Sequence, residues 1–161
     1  MTLTLPSLIL LEDHSGNWDS YLTALYELFK QDFIQSKPTF RGRTLALKKH
    51  PMLRGKEATF WHFITEGEVE EERMPNLRRC ERLPWVKPII ESTPHDDIKF
   101  WIEKRGKEER IHLCYGDWEY LVVLADRGTY LLPWTAFYID QGHRRRNLEK
   151  RYNTYKAEIA P

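Results

Sequence analysis

Apolar positions recur at spacings of three and four along the first part of the chain, at Trp18, Leu22, Leu25, Tyr26, Phe29 and Phe33. With Ser15 or Asn17 ahead of them as a cap, this spacing predicts an amphipathic helix over about 17–35, ended before Lys37-Pro38. The period then changes. Phe40–Leu47 reads as a strand running into a basic loop at 48–56, and Ala58–Thr65, rich in aromatic and β-branched residues, reads as a second strand. A short helix is expected near 76–83, stopped by Pro84 and again by Pro88. The second half alternates cleanly. Ile98, Phe100 and Ile102 point one way while Lys99, Trp101 and Glu103 point the other, and Ile111, Leu113 and Tyr115 continue beyond a Gly106-Lys107 turn. Turns at Gly116-Asp117 and Asp126-Arg127-Gly128 then separate a buried-looking Tyr120–Leu124 from a last strand over 129–138. From Gln141 to Glu158 the period returns to helical, with Leu148, Tyr152, Tyr155 and Ile159 on one stripe.

Strands in runs with helices at the ends define an α+β fold. It comprises an N-terminal helix, an antiparallel sheet of four to six strands with a meander in its second half, and a basic amphipathic C-terminal helix. At 161 residues the chain is one domain, divided into a helical part over 1–36, a sheet over 38–140 and the helix over 141–159. A composition 41% hydrophobic and 13% aromatic excludes a disordered chain. No apolar run approaches the ~20 residues that span a bilayer, so no membrane association is expected. The first residues lack the basic stretch of a signal peptide, and two cysteines, Cys80 and Cys114, make no disulfide framework. The chain reads as cytoplasmic.

Charge adds a feature that the net value of +1 conceals. Residues 1–35 carry a net −4, residues 37–56 carry seven cations and no acid, 66–72 hold five glutamates, and 143–156 carry a net +5. Two basic blocks could converge into a surface that attracts phosphate, or each could be a solvated face paired with the acidic blocks. The glutamate run reads as an exposed, mobile loop.

Four segments carry candidate chemistry. His112, Cys114 and Cys80 could ligate a metal, but no Cys-x-x-Cys spacing supports a structural zinc site, so the cysteines read as core residues and no metal or cofactor is expected. In Phe60-Trp61-His62-Phe63, a strand would set His62 on one face with Phe60, where an imidazole can act as general acid or base or serve as a structural side chain. The stretch Arg73–Trp85 holds four arginines in ten residues. On a helix, Arg78, Arg79 and Arg82 share a face, forming either a fork for a phosphate or a surface paired with Glu81. Thr135, between Trp134 and Phe137, could position a phosphate oxygen or simply suit a strand.

In element order over about 58–157, and in the segments Phe60-Trp61-His62, Arg78-Arg79-Cys80-Glu81-Arg82 and Trp134-Thr135-Ala136-Phe137, the chain resembles the barnase–EndoU–colicin–RelE class of small, toxin-associated ribonucleases. The resemblance implies metal-independent RNA cleavage, the 2′-hydroxyl attacking the adjacent phosphate. It casts His62 as acid/base, Arg79 and Arg82 as phosphate stabilisers, and Thr135 as the group that positions the phosphate. Arg41, Arg43, Lys48, Lys49, Arg144, Arg145 and Arg146 would hold the RNA backbone, with Trp61 or Trp134 stacking bases. An antitoxin or inhibitor protein would be the expected partner. The chain departs from the class in lacking an evident catalytic glutamate on the central strands, where Glu103 and Glu119 are the candidates. The alternative is a non-catalytic protein- or nucleic-acid-binding module of a mobile-element or defence system. Catalysis requires His62 and the arginines to meet in a cleft; a binding module leaves them scattered or in structural pairs.

Overall fold

A computed structural model describes residues 2–160. After an extended N-terminal segment and a 3-10 turn at Leu11–His14, helix α1 runs from Trp18 to Phe29. The side chain of Asn17 caps it, Oδ1 accepting from Ser20 N–H at 2.9 Å. Its last turn widens into a π-helical segment at Lys30–Gln35, and Phe33 stays inside, stacked 5.3 Å from Phe29. The expected helix over 17–35 is therefore present, with that change of winding in its final third.

Two expected strands take other forms. Phe40–Leu47 contributes a minimal hairpin, β1 (Thr39–Phe40) with β2 (Arg43–Thr44), turned at Arg41-Gly42 where both φ angles are positive. Ala58–Ile64 is not a strand but a helix, α2. Its N–H groups at Ala58 and Thr59 donate to the carbonyls of Lys49 and Lys48, so the basic loop caps it through its backbone. Thr59, Phe60, Phe63 and Ile64 are buried at helical spacing, with Phe60 and Phe63 edge-on to Phe29. Tertiary packing into this aromatic core overrides the strand propensity of the segment. His62 consequently lies on a helix, not on a sheet face.

A two-rung ladder joins β3 (Thr65–Glu66) to β4 (Met74–Pro75) and closes the acidic segment into a loop. Helix α3 (Leu77–Glu81) follows, capped by Asn76 on Arg79 N–H. A 3-10 turn at Leu83–Trp85 then leads into α4 (Val86–Ser92). Pro84 and Pro88 do not stop helical structure here. Each sits in the first turn of the segment that follows, where a missing N–H costs nothing.

The meander follows its expected order: β5 (Ile98–Arg105), β6 (Glu108–Tyr115), β7 (Tyr120–Asp126) and β8 (Leu131–Tyr138), antiparallel neighbours in one four-stranded sheet. Ile111, Leu113, Tyr120, Val122 and Leu124 face a core shared with α1–α4. Trp101, Cys114, Leu121 and Val123 face a second core, covered by α5 (Gly142–Ile159) through Leu148, Tyr152 and Tyr155. Ile159, expected on that stripe, is exposed. The sheet is thus buried on both faces, in three layers. Cys80 and Cys114 lie in different cores, and burial pushes both thiols up to about 12.

One irregularity shapes the site. In β8, Leu124 pairs with Pro133 and Val123 with Thr135, so Trp134 is the extra residue of a β-bulge. The bulge reverses the alternation of the strand: Leu131 faces the first core, whereas beyond the bulge Ala136 does, which leaves Thr135 and Phe137 on the opposite face.

Candidate active site

β8 is one of the sheet's two edge strands, and beside it opens a cleft of about 1120 Å³. Lys48 reaches it from the basic loop, His62 from α2, residues 66–74 from the acidic loop, Arg79 from α3, Trp134, Thr135 and Phe137 from β8, and His143, Arg144 and Arg151 from α5. Three of the four residues expected to be catalytic, His62, Arg79 and Thr135, thus line the same cleft.

His62 is half-buried, its ring edge-on to Trp134 at 6.0 Å. The ring hydrogen-bonds through Nε2, which donates toward Glu70 and lies 3.1 Å from both of its carboxylate oxygens. Burial lowers the imidazole's pKa, and the Glu70 carboxylate only partly restores it. The ring is therefore predominantly neutral near pH 7 and can accept a proton.

Arg79 is 8% exposed. Its Nη1 donates to the carbonyls of Thr65 (2.6 Å) and His62 (3.3 Å), while its buried Nε has no partner. Glu81, its neighbour in sequence, pairs instead with Arg78 and Arg82. Desolvation, with Arg73 and Arg144 adding like charge, brings its pKa down to about 10. The guanidinium groups of Arg79 and Arg144 lie 5.4 and 4.8 Å from the ring centroid of Phe137, so one aromatic ring supports both. Arg79 and Arg144 thus set two cations side by side on one wall of the cleft, a pairing whose like charges an anion offsets.

Trp134 is held by cations. Arg110 lies 4.3 Å from its ring centroid, Lys48 5.5 Å and Arg127 5.6 Å. The acidic loop is fixed at its base by Arg73, which donates to Gly67 O (2.6 Å), Thr65 O (2.6 Å) and Thr65 Oγ1 (2.9 Å).

Other expected residues lie elsewhere. Arg82 is outside the cleft, paired with Glu81 at 3.3 Å and packed 4.1 Å over the Tyr138 ring. Trp61 donates from Nε1 to Leu53 O and so fastens the basic loop to α2. Arg41 stacks on Phe100 at 4.3 Å, Arg43 pairs with Asp126 at 2.8 Å, and Arg145 pairs with Asp117 and Glu149. Lys49 and Arg146 are exposed and do not line the cleft. Of the two basic blocks, Lys48 represents the first in the cleft, Arg144 and Arg151 the second. Glu103 and Glu119 are both outside the cleft. Glu103 accepts from Trp101 Nε1 and from Arg151, on whose guanidinium His112 also converges.

The site also contains residues that sequence reasoning passed over. His143 and Arg73 line the cleft, and Glu70 singles itself out from the glutamate run by its contact with His62. The strand reading of 58–65 hid that contact, since Glu70 faces His62 only because α2 and the β3–β4 ladder fold the loop back. No family model, curated protein or solved structure matches the chain. No helix among the described residues is long and apolar enough to cross a membrane.

Proposed function

We propose that the cleft binds the phosphodiester backbone of RNA and cleaves it by attack of the 2′-hydroxyl on the adjacent phosphorus. In this reading the neutral imidazole of His62 takes the 2′-hydroxyl proton as the new O–P bond forms. The bond from phosphorus to the 5′-oxygen breaks, that oxygen takes a proton from water, and the His62 imidazolium returns its proton to the solvent. The products are a 2′,3′-cyclic phosphate and a 5′-hydroxyl, with no other reactant consumed. Arg79 and Arg144 offset the charge that builds on the phosphoryl oxygens, the interaction that most favours the transition state over the ground state. Thr135 offers a hydroxyl beside them, and Lys48 a charge for the neighbouring phosphate. The observation that carries the reading is Arg79, an almost buried guanidinium with an unpartnered Nε, in the same cleft as a neutral histidine.

A second reading has its own support. Glu70 engages Nε2 of His62, and Arg79 spends Nη1 on backbone carbonyls, as in a binding module whose polar groups are structural. An antidote protein, if one exists, would cover the same cleft.

The test is cleavage of ribosomal, transfer and messenger RNA by the purified protein in EDTA, with His62→Ala alongside and the fragment ends analysed. Cyclic-phosphate ends from the wild type and a loss of at least about a hundredfold in the variant are expected for a general acid–base residue. RNA that binds and remains intact would leave the binding module as the function.

A further inference from the structure

The acidic loop is more than a solvated run of charge. Residues Glu66, Glu68, Glu70 and Glu72 all line the cleft whose other polar wall is Lys48, Arg79, Arg144 and Arg151. Five glutamates within seven residues would, if merely solvated, spread away from one another and from the fold. Here the chain turns back at Gly67, whose φ of +131° is open to glycine and strained for other residues. The β3–β4 ladder and the three bonds from Arg73 hold the base of the loop. Its middle touches the site directly, since both oxygens of Glu70 are within 3.1 Å of His62 Nε2. The loop itself is lightly held. Val69 is 49% exposed, and among the loop's glutamates the fixed side-chain partners are His62 for Glu70 and Asn76 for Glu66.

We propose that residues 66–72 are the anionic wall of the cleft, an internal polyanion that competes with the RNA backbone for the facing cations and swings outward about Gly67 and Arg73 when RNA enters. The inference rests on the reading of the cleft as an RNA site and adds its regulation. It also accounts for a nearly neutral chain with a phosphate-seeking centre: the negative charge that balances the site sits across the opening, where it is displaceable. Removing it raises affinity for polyanions specifically, whereas removing the same charge elsewhere does not, because exposed charges beyond a Debye length of about 10 Å are screened.

The experiment measures binding of a fluorescein-labelled single-stranded RNA at several salt concentrations, by anisotropy. Three proteins are compared: wild type, the triple variant E68Q/E70Q/E72Q, which keeps the Glu66–Asn76 bond, and a control of equal charge, D13N/D19N/E27Q, altered in or near the N-terminal helix. The triple variant is expected to bind at least tenfold more tightly than wild type, with a steeper dependence on salt, and the control within twofold of wild type. Melting curves establish that all three are folded; should the triple variant be unfolded, the single change Glu70→Gln is read instead, with at least a threefold gain expected. Equal gains in the triple variant and the control would overturn the proposal while leaving the RNA site intact. Absence of RNA binding in all three would overturn the RNA site itself, and the competitor with it.

Discussion

Arg151 donates from Nη2 to Nε2 of His112 across 3.2 Å, and the same nitrogen lies 2.7 Å from the carboxylate of Glu103. His112 faces the carbonyl of Arg110 through Nδ1 and stacks flat on Trp101; its Nε2 also lies 3.3 Å from Glu103, but burial outweighs that carboxylate and favours the neutral, Nδ1-protonated ring. This cluster ties α5 to β5 and β6, and α5 is one wall of the cleft.

The cluster makes the fold sensitive to acid. Burial brings His112 from 6.5 down to about 4, so the unfolded chain takes up a proton below pH 6.5 that the folded one refuses until about pH 4. Its contribution is complete above pH 6.5 and erodes as the pH falls to about 4. Glu103, held below its ordinary 4.5 against its own desolvation by hydrogen bonds from Arg151 and Trp101, adds a further loss beneath that. Melting temperatures are expected to fall steadily from pH 6.5 to pH 4. In His112→Gln the slope over that window should flatten; an unchanged slope would assign the titration to another group.

α5 is held by few apolar side chains, and they are unequal. Leu148 is 2% exposed in the second core, and Leu148→Ala should cost about 2–5 kcal/mol, the range for a buried leucine. Ile159, about three turns beyond Leu148 on α5, is 62% exposed, and Ile159→Ala should stay within about 0.5 kcal/mol. Denaturant titration of the two variants checks the contrast.

Arg79→Met separates stability from the proposed activity. The change loses two hydrogen bonds to backbone carbonyls but relieves a desolvated charge. Stability should therefore move by no more than about 1–2 kcal/mol. RNA cleavage should fall at least tenfold. A large destabilisation with unchanged cleavage per folded molecule would make the residue structural.

Cations in the cleft should count, and cations outside it should not. Lys48→Ala and Arg144→Ala are each expected to weaken RNA binding several-fold and to reduce the salt slope by about 1. Arg41→Ala, Arg43→Ala and Arg146→Ala should leave binding within about twofold. Arg43 has Asp126 as its partner, and the loss of that exposed pair should cost at most about 1 kcal/mol. Fluorescence anisotropy across a salt series measures both quantities.

The second half of the fold is legible because one side of each strand differs from the other: the alternations at 98–102 and 111–115 encode β5 and β6, and the turns at Gly106, Gly116 and Gly128 punctuate them. α2 is illegible for the opposite reason. From Ala58 to Ile64 nearly every side chain is bulky and apolar or half-apolar, so periods of 2 and 3.6 fit equally, and the aromatic core made by α1 decides. Arg79 stands out in sequence as one of four arginines, but nothing local separates it from Arg82. Their fates diverge because α3 turns the first toward β8's cleft and the second toward Tyr138. The partnership of His62 and Glu70 depends on the β3–β4 ladder, a pairing of two residues that no local pattern announces.

Trp134 has a consequence for how this protein could be dissected. In the pairing of β8 with β7 it is a surplus residue: Pro133 and Thr135 already hold adjacent rungs on Leu124 and Val123. A chain without Trp134 retains every other cross-strand pair and keeps Thr135 and Phe137 on their present sides. The indole therefore stands outside the ladder's own pairing, though it packs against the second core, and a one-residue deletion is a route to a molecule that has lost this aromatic wall of the cleft while its strand pairing is kept.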